Sequence, residues 1–357
     1  MTQRMQPRVP ALALLSVLLP SPLIAQSAAP SGPAAPIQSA APTAPADWQA
    51  AARAVANPGA TNIPAAFQRW KMLSSGDNWR FDDYAGFLMQ WPGWPEEARF
   101  RRNAETMLDM SSWSPAAAVA YFDRFAPLTN DGRAKYALAL GQTGQRDRAR
   151  AMAREAWRGG ALTDDNALRL QALHTADFSR ADHDARMDAL LWQGAVRAAA
   201  AQLAWVSPEM AALFGARLAL RQNRGDADTL AGAVAAQCAT DAGFLADRAR
   251  FLRTKGRSYE ARSLLAGRPP LATPPSNVEE WYETLLTNAR AAEADRQYDV
   301  AYRIASRVDD AFPPQTDVSD KALGIRDDYT SLAWLAGTTA FYNLNRPADA
   351  VGMFRRY

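Results

Sequence analysis

From Asp47 onward, apolar positions recur at the three-and-four spacing of a helix face. No stretch alternates β-branched residues between Asn-Gly or Asp-Gly turns, as paired strands would. The pattern predicts an all-α chain. Several helix starts carry their own chemistry. Ser114-Pro115 and Ser207-Pro208-Glu209 place a capping hydroxyl before a proline at the first helical position, where the missing N–H costs no hydrogen bond. Trp94-Pro95-Glu96-Glu97 predicts a start with two carboxylates in the first turn, followed by Ala98, Phe100, Ala104, Met107 and Leu108 on one face. Ser276-Asn277-Val278-Glu279 reads as a capping box after the proline-rich turn PPLATPP.

Aligning the loops reveals a repeated unit. ALALGQTGQRDRARAMA, RARFLRTKGRSYEARSLLA, ARAAEADRQYDVAYRIA and TAFYNLNRPADAVGMF each give a helix, a short polar turn and a small residue at a fixed offset. The pairs are Gly144 with Ala149, Gly256 with Ala261, Arg296 with Ala301 and Asn345 with Ala350, five residues apart every time. Leu190-Leu191-Trp192-Gln193-Gly194 opens a further unit, with Ala199 at the same offset. A small residue at the start of the second helix lets two helices approach closely, which is the packing logic of tetratricopeptide-like hairpins. The spacing between units is uneven. The fold expected is therefore an all-α superhelical stack of degenerate TPR-like helical hairpins, an α-solenoid.

The N-terminus departs from this pattern. Arg4 and Arg8 precede the apolar run VPALALLSVLLPSPLIA, broken by Pro20 and Pro22 and short for the roughly 20 apolar residues of a bilayer span. Residues 1–25 are expected to be a cleaved export signal, giving a periplasmic protein with no integral membrane segment after signal removal. Residues 26–46 (QSAAPSGPAAPIQSAAPTAPA) hold no aromatic and no charged residue and read as a semi-extended linker. The superhelical domain is expected over 47–357.

Composition narrows the chemistry. The 357 residues are 48% apolar and 22% charged, enough to bury a sizeable core. Lys plus Arg number 40 against 37 Asp plus Glu, a balance that argues against a nucleic-acid partner. Cys238 is the only cysteine, with no histidine close in sequence, and reads as a small buried hydrophobe. The two histidines leave little for a metal site. His174, His183-Asp184 and Asp188 superficially imitate a metal phosphohydrolase set, but no phosphate-binding loop accompanies them. The alternative is a helix N-terminus with Asp182 and Asp184 near the first turn and Met187, Leu190 and Leu191 packed inward. Glu96-Glu97 and Glu279-Glu280 both fall at helix starts, where capping and the helix dipole account for them. Most of the eleven tryptophans are expected as filler between helices.

Three segments go further when read together. Arg186 to Leu220, Ala246 to Pro270 and Ser331 to Phe354 resemble the superhelical part of soluble lytic murein transglycosylases, and Gly86 to Glu105 is similar to that family's early helices. The resemblance implies an exported, U-shaped α-superhelix preceding a lysozyme-like domain that cleaves the MurNAc–GlcNAc bond of peptidoglycan and leaves 1,6-anhydromuramoyl ends. It implies peptidoglycan glycan strands as the partner, with other cell-wall proteins besides, and no cofactor or metal. The family's catalytic glutamate is followed by serine, and no Glu-Ser pair occurs in this chain. Gly86-Phe87-Leu88-Met89-Gln90 imitates the family's Gly-Leu-Met-Gln motif with an extra phenylalanine, and reads as a packed helix. No catalytic, cofactor-binding or metal-ligating residue is therefore assigned, and the glycan-contacting residues are not identified. Trp192 and Arg197 offer an aromatic face and a guanidinium fork suited to sugars and peptide-stem carboxylates, but fit core and solvated surface equally. The chain stops after the second helix of a hairpin, so the expectation is a superhelix truncated at its C-terminal end, lacking the catalytic module. The alternative is a non-enzymatic periplasmic helical-repeat scaffold for protein–protein interaction.

Overall fold

The computed structural model describes residues 62–356; the predicted leader and linker, and the start of the predicted folded part, lie outside the described residues. Among the described residues the chain is all-helical, with seventeen α-helices and no strand. In chain order they are α1 (Ile63–Ser74), α2 (Phe81–Gln90), α3 (Glu97–Met107), α4 (Pro115–Arg124), α5 (Asn130–Gln142), α6 (Arg146–Arg158), α7 (Asp164–His174), α8 (Arg180–Trp192), α9 (Val196–Gln202), α10 (Pro208–Arg221), α11 (Ala227–Val234), α12 (Ala242–Thr254), α13 (Ser258–Ala266), α14 (Val278–Ala294), α15 (Tyr298–Ala305), α16 (Leu323–Thr338) and α17 (Pro347–Phe354).

The turns of the hairpins share one backbone solution. Gly144, Gly194, Asn223, Gly256, Arg296 and Asn345 all sit at positive φ, between the helices of α5–α6, α8–α9, α10–α11, α12–α13, α14–α15 and α16–α17. In the first five, the N–H of the next residue donates to the carbonyl five positions back, as Gln145 does to Leu140 at 2.9 Å and Arg257 to Leu252 at 2.8 Å. This is the Schellman closure, which satisfies carbonyls that a helix C-terminus leaves without partners. At the sixth, a π-helical turn over Thr339–Asn343 inserts one residue, so Arg346 reaches back six positions to Ala340. The alanines five residues on, Ala149, Ala199, Ala261, Ala301 and Ala350, are all buried where the second helix meets the first. The α10–α11 hairpin escaped the sequence pattern because its buried alanine, Ala227, comes four residues after Asn223 and not five.

The first helices of successive hairpins, α8, α10, α12, α14 and α16, touch one another in order. The core divides into clusters along the chain, from one rich in phenylalanine and tyrosine around α2–α5 to one centred on Trp281, Tyr282, Leu285 and Leu332. Trp157, Trp192 and Trp281 are buried filler, whereas Trp205 and Trp334 are exposed. Phe87, Leu88 and Met89 of the Gly-Leu-Met-Gln look-alike are buried in α2.

Two predicted starts are corrected. The helix after Trp94-Pro95 begins only at Glu97, because Glu96 takes a left-handed conformation and accepts from Ser74, while the Glu97 carboxylate takes the Gly93 N–H at 2.6 Å. Ala98 consequently faces solvent, and Phe100, Ala104 and Leu108 carry the buried face. The cap of α14 is Asn277, whose side chain accepts from the Glu280 N–H; Ser276 bonds instead to Asp188. Ser114 caps α4 as expected, by accepting from the Ala117 N–H.

Arg296 is exposed and holds a left-handed backbone without the glycine or asparagine that tolerates it. Arg296→Gly is therefore expected to stabilise the protein by about 1 kcal/mol and to raise its Tm by ~2 °C, read by thermal unfolding.

Candidate functional site

The residues that imitate a metal set are each tied to a different partner. His174 pairs with Asp177 at 2.9 Å at the end of α7. His183 is buried among aromatic rings, Asp184 accepts from the Ser207 N–H at the start of α10, and Asp188 pairs with Arg217. Among the described residues, no group of three or more His, Cys, Asp or Glu is placed to hold a metal ion. Cys238 is buried, and its thiol pKa is pushed up by that burial and by Asp241. Trp192 is a core residue, and Arg197 makes an exposed pair with Asp164 at 2.8 Å.

What the fold does assemble is a ladder of opposite charges across consecutive first helices. Arg217 on α10 is 1% exposed, and its guanidinium meets Asp188 of α8 at 2.5 Å and Asp247 of α12 at 2.8 Å. Asp247 also pairs with Arg221, which reaches Glu280 of α14 at 3.9 Å; Arg250 approaches the same carboxylate at 3.8 Å. Burial alone would discharge Arg217, but Asp247 and Asp188 outweigh it and push its pKa up, keeping the cation. Trp192 covers it, with the guanidinium carbon 5.6 Å from the ring centroid. On the open side, Arg221, Arg250, Arg253, Glu280, Glu283 and Asn288 border a small polar recess of about 70 Å³. This wall presents donors and acceptors of both charge signs from three neighbouring helices, a surface able to hydrogen-bond a polar polymer laid across it.

Sequence reasoning missed the ladder, although Arg217 interrupts the apolar run Phe214 to Leu220. Gly243 gives the second clue: a Cβ there would lie 2.3 Å from the Arg217 guanidinium carbon. Arginine held on both sides by carboxylates cannot step aside, so Gly243→Ala is expected to cost about 2 kcal/mol in denaturant unfolding.

Asp182 anchors the first turn of α8, with Ser179 donating to it through its backbone N–H at 2.9 Å and its hydroxyl at 2.7 Å, and Arg158 reaching it at 3.0 Å. Burial pushes its pKa up, but Ser179, Arg158 and Arg154 together outweigh that and hold the carboxyl below the ordinary aspartate range. Its contribution to stability is therefore complete above about pH 4 and is lost as the pH falls through the lower folded-state value. Asp182→Asn is expected to cost about 1–2 kcal/mol at neutral pH, with the gap to wild type narrowing as the pH falls below the ordinary aspartate range, as measured by unfolding across acid pH.

No helix among the described residues is long and apolar enough to cross a membrane. Compared with known protein families, curated proteins and solved structures, the chain matches none.

Proposed function

We propose that this chain is the glycan-holding, superhelical portion of an exported peptidoglycan lytic transglycosylase, its hairpins forming a TPR-like α-solenoid in the periplasm. The observation that carries the reading is the row of first helices α8 to α16 in mutual contact, locked by the Arg217 ladder and bordered by the polar recess at Glu280. A rigid wall of repeated hairpins suits a long, hydroxyl-rich polymer better than a small metabolite. Arginine and carboxylate side chains along it match the peptide-stem carboxylates and the sugar hydroxyls and amides of murein. The chain's own part is to bind and position strands; bond cleavage belongs to the family's Glu-Ser-bearing domain, and no Glu-Ser pair is present here.

The scaffold reading has one observation in its favour. The last hairpin exposes Phe341 (50%), Tyr342 (77%) and Val351 (48%), an apolar face of the kind that protein partners cover.

The expected result is retention of the purified chain on peptidoglycan sacculi above a non-binding periplasmic control, without release of anhydromuropeptides detectable by mass. Absence of retention overturns glycan holding, and release of anhydromuropeptides overturns the assignment of cleavage to another domain.

A further inference from the structure

The turn Leu203–Trp205, which follows α9, carries an unusual tryptophan: Trp205 is 43% exposed yet held from several sides. One face of the indole stacks on His183, with ring centroids 5.5 Å apart and planes 26° from parallel. His183 is itself fixed. The Trp157 indole N–H, which can only donate, lies 3.3 Å from its Nδ1, and the Gln202 amide nitrogen lies 3.1 Å from the same atom. Nδ1 is therefore the acceptor and the ring proton sits on Nε2. A ring with an accepting Nδ1 is neutral, and burial with Arg180 and Arg186 nearby, outweighing Asp182 and Asp184, pushes its pKa down in the same sense. The backbone of the turn is pinned as well, since Arg180 donates to the carbonyl oxygens of Trp205 at 2.9 Å and Val206 at 3.3 Å.

Beside this platform opens a recess of about 410 Å³, within the range of small-molecule sites. Trp157 and Phe178, stacked 4.8 Å apart and 9° from parallel, line it together with Leu168, Gln171 and Thr175 of the α7 end. The Thr175 hydroxyl donates to the Gln171 carbonyl, which leaves its oxygen free to accept. With His183 neutral, no side chain lining the recess is charged.

This combination selects among ligands. An ionic group would enter without a counter-charge, and a purely aliphatic group would strip water from the Gln171 amide and the Thr175 hydroxyl without replacing it. A ring with an apolar C–H face and polar edges satisfies both, because the face lies on the indole while the edge groups meet amide and hydroxyl. We propose that this recess is a binding subsite for one uncharged pyranose of the N-acetylhexosamine class, stacked on Trp205. The subsite deepens the glycan-holding reading and rests on it for the polymer that supplies the ring.

The test titrates the full chain with chitotetraose, alongside sacculi retention. Expected is saturable binding that moves the Trp205 indole N–H signal in the NMR spectrum of the wild type, identified by its loss in Trp205→Tyr. Trp205→Ala should weaken binding by about tenfold or more, and Trp205→Tyr, which keeps an aromatic face, should retain most of it. Chitotetraose bound equally by wild type and Trp205→Ala, or an unmoved Trp205 signal, overturns the subsite. Should Trp205→Ala fail to fold, the wild-type signal still decides. Sacculi retained without chitotetraose binding overturns the subsite alone, whereas Trp205-dependent chitotetraose binding without sacculi retention sustains the subsite and overturns the glycan-holding wall.

Discussion

Helices that end against their neighbours bury backbone groups that no bond within the helix can satisfy, and the rest of this structure depends on how those groups find partners. The answer comes from the adjoining hairpin. Glu105 on α3 accepts the Leu128 and Thr129 N–H groups at the start of α5, both at 2.7 Å, while Lys135 on α5 returns its ammonium to the Glu105 carbonyl at the end of α3, also at 2.7 Å. Asp131 takes the Thr163 N–H before α7, and Asp184 the Ser207 N–H before α10. At the other polarity, Arg186 covers the end of α6 by donating to the Gly160 carbonyl at 2.6 Å, and Arg268, just past α13, reaches the Ile304 carbonyl at the end of α15 at 3.3 Å. Anions meet helix N-termini and cations C-termini, as the helix dipole requires.

These contacts explain why buried charge is tolerated in a core built largely of alanine and leucine. Arg186 and Arg268 lie over Trp157 and Trp281, and burial pushes both pKa values down to about 10, still leaving them charged at neutral pH. An apolar contact between two helices tolerates sliding by a turn; a guanidinium that must reach a particular carbonyl does not. The charged groups thus set the register between hairpins, and the small residues set how closely they approach. The Arg217 ladder extends this over four helices, tying α8, α10, α12 and α14 to one another through paired charges.

The hairpin turns were legible because a left-handed residue and a close-packed alanine leave a local signature in sequence. Gly144 with Ala149 and Gly256 with Ala261 could be paired by spacing alone, and Arg296 and Asn345 by alignment to them. The helix starts at Ser114 and Ser207 were legible from the proline at the first helical position, but only Ser114 caps with its hydroxyl; the expected Ser207 cap is not made, and its backbone N–H bonds to Asp184 instead. The start at Glu97 was not, because Ser74, twenty-two residues earlier, holds Glu96 outside the helix. Nor was the cap at Asn277, since Ser276 is drawn off by Asp188, 88 residues away.

The sequence by itself determined that this protein is built of helices, where most of them turn and which alanines they close upon, since each of these follows from backbone preferences over a few residues. Only the tertiary structure decided what the charged and aromatic residues do. Trp192 and Arg197 fitted core and solvated surface equally, and His183 imitated part of a metal set, until distant helices placed them. Trp192 and Trp205 are alike as letters, yet one is core and the other a platform at the edge of a recess. The physical reason is range: a dihedral preference acts within a turn of helix, whereas burial, a counter-charge and a stacked ring are supplied by residues tens of positions away.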